Sequence, residues 1–138
     1  MAKKGSGGFK SSRGAKFGAL EQVFDDVWWA WGTTKMAPGI HFGRNMTIVR
    51  EADGGLVVIH PVMMPAEQQA QVETLGPIKH VVRLGAFHGM DDKLYIEKYK
   101  AKLWAPPACD GIDDLKVDHH LTATGGLPIA GEIGRAHV

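Results

Sequence analysis

The sequence predicts an α/β (α+β) domain: a mixed β-sheet with helices packed on it. Three observations carry that reading. Short runs of β-branched and aromatic residues recur, separated by Gly, Pro and Asp turn residues. A pair of strands joined by a glycine turn is followed by a strand–helix–strand succession, the pattern of a parallel pair with a crossover helix. The length of 138 residues, with 44% hydrophobic and 22% charged, suits one soluble domain.

Val27-Trp28-Trp29-Ala30-Trp31 opens the series as a strand, bounded by Asp25-Asp26 and Gly32. Its three indoles fall on both faces, so protein is expected to cover at least one of them. Residues 35–44 contain Pro38, Gly39 and Gly43 and are expected to form a loop. Met46–Arg50 and Leu56–His60 flank Asp53-Gly54-Gly55, which tolerates positive φ and marks an antiparallel hairpin. Pro61 removes a backbone donor and ends the second strand.

Pro65–Leu75 is predicted as the first helix, with Pro65 in the first turn and Gly76-Pro77 as the stop. His80–Leu84 is the next strand, parallel to the one at 56–60. A second helix is expected over Lys93–Lys100, with Asp91 or Asp92 as its cap. Lys102–Ala105 resumes the sheet and stops at Pro106-Pro107. An acidic loop from Cys109 to Leu115 leads to a strand over Val117–Thr122. Glu132–Val138 reads as the start of another.

The net charge of +1 is uneven. Lys3, Lys4, Lys10, Arg13 and Lys16 precede the first acid, Glu21. Setting those five aside leaves 11 bases against 15 acids, or −4. Residues 1–20 are therefore read as a disordered basic Gly/Ser/Lys-rich arm, and residues 21–138 as the folded domain. Five spaced charges without stacking aromatics favour a solvated tail over a nucleic-acid contact. No apolar run is long enough to span a membrane, and none marks a signal peptide. A single cysteine, Cys109, cannot form an intrachain disulfide, so a cytoplasmic setting is expected.

Connectivity points to a site. Parallel strands end on one edge of a sheet, and ligands of open α/β sheets sit beyond those carboxyl ends. His60 closes one such strand, and His88-Gly89-Met90-Asp91-Asp92-Lys93 follows the other. Imidazole and carboxylate are ligands for zinc or another divalent metal, which would lower the pKa of a bound water. The plainer reading has Asp91 or Asp92 capping a helix and His88 bonded to a backbone carbonyl. His119 and His120 are strand neighbours and point to opposite faces. Cys109 stands beside acids rather than bases, which disfavours a reactive thiolate.

The order of segments resembles the metallo-β-lactamase fold superfamily, in an uncharacterised hydrolase-like branch. The resemblance rests on the Trp-rich strand, Arg44-Asn45-Met46-Thr47-Ile48-Val49, Gly54–Pro61, Leu75-Gly76, Ile78–Val82 and His88–Asp92. It implies an αββα sandwich built of two similar halves. Residues 25–138 would supply the first half and the opening of the second, leaving the domain incomplete at its C-terminus. The family's first metal motif is His-x-His-x-Asp-His. His88 and Asp92 match it, whereas Met90 and Lys93 stand where it has histidines. The resemblance thus implies His88 and Asp92 as catalytic metal ligands, with Asp91 or His60 filling in and the later ligands lying beyond Val138.

Three readings follow. The first is hydrolysis of an ester, thioester, lactone or amide small-molecule substrate by a metal-bound water. The second is a catalytically degenerate domain of the same fold that binds a small molecule or a protein. The third is a nucleic-acid accessory module using the basic arm. A lone half-sandwich would also expose the sheet face meant for its partner, so self-association through that face is expected.

Overall fold

The computed structural model describes residues 15–85 and 90–123. Seven strands form one sheet: β1 (Glu21–Phe24), β2 (Val27–Ala37), β3 (Ile40–Arg50), β4 (Leu56–Ile59), β5 (Ile78–Val82), β6 (Lys102–Ala105) and β7 (His119–His120). Helix α1 (Ala66–Leu75) joins β4 to β5, and α2 (Asp92–Tyr99) lies between β5 and β6. The strands lie in chain order across the sheet. Neighbours from β1 to β4 are antiparallel, and those from β4 to β7 are parallel.

The predicted hairpin and crossover are both present. Thr47 faces Ile59 and Arg50 faces Leu56 across β3 and β4. In the turn between them Gly54 has φ 86°, and the Asp53 carboxylate accepts the Gly55 N–H at 2.7 Å. The β4–α1–β5 unit then makes β4 and β5 parallel.

The expected loop over 35–44 is instead the tip of a long hairpin. Strands β2 and β3 run 11 residues each and close at Pro38-Gly39, where Gly39 has φ 75°. Pro and Gly here make the tight turn itself, and Gly43 sits within β3 opposite Thr33. The strand expected over 117–122 is reduced to His119–His120, with two short 3-10 turns before it. Packing also begins before residue 21: Phe17 bridges Gly32, and the Gly18 N–H donates to the Trp31 carbonyl at 2.9 Å. Residues 1–14, most of the predicted basic arm, lie outside the described residues, as does the strand expected from Glu132.

Alternation along the strands divides the sheet into two faces. One carries Trp28, Ala30, Met46, Ile48, Leu56, Val58, Val81 and Leu103 into a core with Val72 of α1 and Tyr95 of α2. Both helices therefore cover this face. The other gathers Val27, Val49, Val57 and Val82, with Ile59 and Trp104 packed against them. A sheet clothed by helices on one side and apolar on the other is one layer pair of a sandwich. No helix among the described residues is long and apolar enough to cross a membrane.

Candidate functional site

The carboxyl ends of β4 and β5 meet the start of α2 at one edge of the sheet. His60 directly follows β4 in the left-handed region, at φ 54°. Its own N–H donates to the Val82 carbonyl at 3.0 Å, and its Nε2 accepts the Leu84 N–H at 3.4 Å. The left-handed backbone costs energy for a residue with a Cβ and re-aims the chain at Pro61.

Asp91 occupies the position before α2 but does not cap it with its side chain. Its Oδ2 accepts two other bonds, from Arg44 Nη1 at 2.9 Å and from the Met63 N–H at 2.9 Å. Arg44 also donates from Nη2 to the Pro61 carbonyl at 3.0 Å. One nearly buried ion pair thereby ties β3, the segment after β4 and the head of α2 together. A charge-assisted pair of this kind fixes geometry more than it adds stability.

Asp92 is the first residue of α2 and is 0% exposed. Neither carboxylate oxygen meets a hydrogen-bond donor among the described residues. Burial pushes its pKa up to about 7; Arg83 and Arg44 oppose the rise, and Asp91 and Asp113 add to it. The counter-charge is Arg83, just beyond β5, with its Nη1 3.7 Å from Asp92 Oδ2 and 3.4 Å from Asp113 Oδ2. The expected helix cap is thus made by neither aspartate.

Beside this pole opens a cleft of about 450 Å³. Met36, Phe42 and Met90 give it an apolar wall, Thr34 and Gly43 line the hairpin side, and Arg44, Asn45 and His60 supply polar groups. Of the predicted site residues, His60 lines the cleft and Asp91 reaches it through Arg44. Asp92 is not in the lining. His88 lies outside the described residues. Phe42 and Arg44 fall in the segment 35–44 whose Pro and Gly point to a loop, and Asn45 lies between it and the strand predicted from Met46, yet their alternation continues that of the strand after them. Arg83 falls within the strand predicted over His80–Leu84, where a lone Arg among Val and Leu is the available signal.

The resemblance implies zinc or another divalent ion. Among the described residues no three His, Cys, Asp or Glu side chains stand close enough to share one. The buried Asp92 oxygens meet no hydrogen-bond donor among the described residues, but Arg83 Nη1 faces Oδ2 at 3.7 Å. Oδ2 of Asp91 is held by Arg44, Nε2 of His60 faces a backbone N–H, and at two motif positions stand Met90 and Lys93. A thioether and an ammonium are poor partners for zinc. The described donors do not fit a zinc centre.

No protein-family model and no curated protein matches the sequence. Solved structures do match it in fold. The metallo-β-lactamase FIM-1 from Pseudomonas aeruginosa, in its mono-zinc form, is 16% identical with a TM-score of 0.56, over 75% of this chain and 50% of that one. A metallo-β-lactamase from Erythrobacter litoralis, with β-mercaptoethanol in its active site, is 16% identical with a TM-score of 0.58, over 86% and 56%. One from Hirschia baltica is 16% identical with a TM-score of 0.53, over 76% and 53%. The chain spans about half the length of these neighbours, and over that length it carries the metallo-β-lactamase fold.

Proposed function

We propose that this chain supplies half of a hydrolase-like domain of the metallo-β-lactamase fold, and that it takes a small molecule into the cleft beside His60. The observation that carries the reading is the cleft itself. It lies between the β2–β3 hairpin and His60 at the carboxyl end of β4, and combines an apolar wall with a few polar groups. Arg44 is already neutralised by Asp91, so the cleft favours an uncharged or weakly polar ligand, with Asn45 and His60 as the hydrogen-bonding groups.

A fragment library screened by thermal shift tests this. A Cβ built at Gly43 meets nothing within 4 Å, so Gly43→Leu has open space for its first side-chain carbon at the cleft wall. Fragments that raise the melting temperature of the wild type are expected to leave Gly43→Leu unmoved. Equal shifts in both proteins would set the reading aside.

A second reading is metal-dependent hydrolysis of an ester, thioester, lactone or amide. It is favoured by Asp92, whose buried oxygens lack donors among the described residues. His88 and Asp92 would be the ligands, joined by Asp91 or His60 and by donors from outside the described residues. Metal content that His88→Ala lowers would support it.

A further inference from the structure

We infer that Arg83 supplies the positive charge that faces Asp92, so that among the described residues this pole of the fold offers a divalent ion a carboxylate already opposed by a fixed cation. The inference concerns the buried pole behind the cleft and stands whether or not the cleft binds a ligand.

The argument starts from the cost of a buried carboxylate. Asp92 has no exposed surface, and a charge so placed must be paired, hydrogen-bonded or neutralised. The Arg83 side chain is itself only 3% exposed and lies 3.7 Å away. It is held from several sides. Its Nε donates to the Gly85 carbonyl at 3.1 Å, its Nη1 reaches Asp113 at 3.4 Å, and its backbone N–H bonds to Trp104 of β6 at 2.9 Å. The guanidinium is therefore a fixed part of the edge, anchored by β6 and the 3-10 turn at Ile112–Asp114.

A divalent ion on Asp92 would have to share this space with a permanent cation. Two positive groups within a few ångströms in a medium of low polarity repel strongly. Arginine keeps its proton at any ordinary pH and cannot yield its charge as a lysine can. The sequence agrees: Met90 and Lys93 occupy two motif positions where imidazoles would be needed. Asp91 is drawn off more tightly by Arg44 at 2.9 Å, whereas Asp92 shares Arg83 with Asp113.

Zinc chloride titrated into the chelator-stripped chain near neutral pH, with melting temperature as the readout, tests the inference. The wild type is expected to shift by less than about 1 °C. Saturating zinc on Asp92 would raise it by about 10 °C at a hundredfold excess over Kd. A shift that Asp92→Asn abolishes would overturn the inference. One that survives Asp92→Asn arises elsewhere on the chain and leaves it standing.

A double-mutant cycle gives the positive test. At about pH 9, where Asp92 is ionised, Arg83→Met alone should melt lower than wild type, and adding Asp92→Asn should restore much of the loss, because the buried carboxylate left without its counter-charge is then gone. Additive losses would contradict the pairing. Should Arg83→Met fail to fold, the zinc titration on wild type and Asp92→Asn decides alone.

Discussion

His60 and Asp92 show how connectivity places residues that composition cannot. His60 ends one parallel strand and Asp92 begins the helix after the next, so both come to one edge of the sheet whatever their roles. Their partners were not legible in the same way. Arg44 meets Asp91 across 47 residues, and such a pairing leaves no periodic trace in a single sequence. Arg83 sits one residue past β5, where its parity alone does not say that it turns inward to Asp92 and Asp113.

Asp92 also gives the molecule a pH dependence. An unfolded aspartate releases its proton near pH 3.8, whereas in the fold burial holds the proton to about pH 7. Between those values the native state binds more protons than the unfolded chain, so stability falls as pH rises through that window. At about 1.4 kcal/mol for each pH unit, the change is at most about 4 kcal/mol. Arg83 and Arg44 reduce it, and Asp91 and Asp113 enlarge it. Urea unfolding of Asp92→Asn across that range should lack this slope; an unchanged slope would assign it to other groups.

Among the elements, the βαβ unit and both helices were readable because their signals are local. Pro65 starts α1, Gly76-Pro77 ends it, and Val- and Ile-rich runs flank it. The β2–β3 hairpin was not, because Pro38, Gly39 and Gly43 mark a turn without fixing how far the strands run beside it. A tight turn at Pro38-Gly39 lets both strands extend to Ala37 and Ile40 and carries Met36 and Phe42 out to the cleft. Two glycines elsewhere separate conformational need from steric need. Gly76 has φ 154°, and a Cβ there would collide with the Gly54 carbonyl oxygen, whereas Gly54 has φ 86° with open space around it. Gly76→Ala should therefore cost more than about 2 kcal/mol and Gly54→Ala about 1 kcal/mol, read from urea midpoints. Equal costs would show that strain alone operates at both.

At the scale of the molecule, the order of strands and helices sufficed to indicate the fold, since each short connection brings neighbours in sequence together in space. The same order said nothing about chemistry, which resides in side-chain contacts made across the sheet. The fold brings a cleft and two arginine–aspartate contacts to the same edge; on the proposed reading the cleft meets ligand and the arginines fix the edge behind it. Backbone amide shifts on titrating a fragment hit test that division most directly. The account predicts that the perturbed amides cluster at Thr34, Phe42, Gly43, Asn45 and His60; shifts confined to another surface would contradict it.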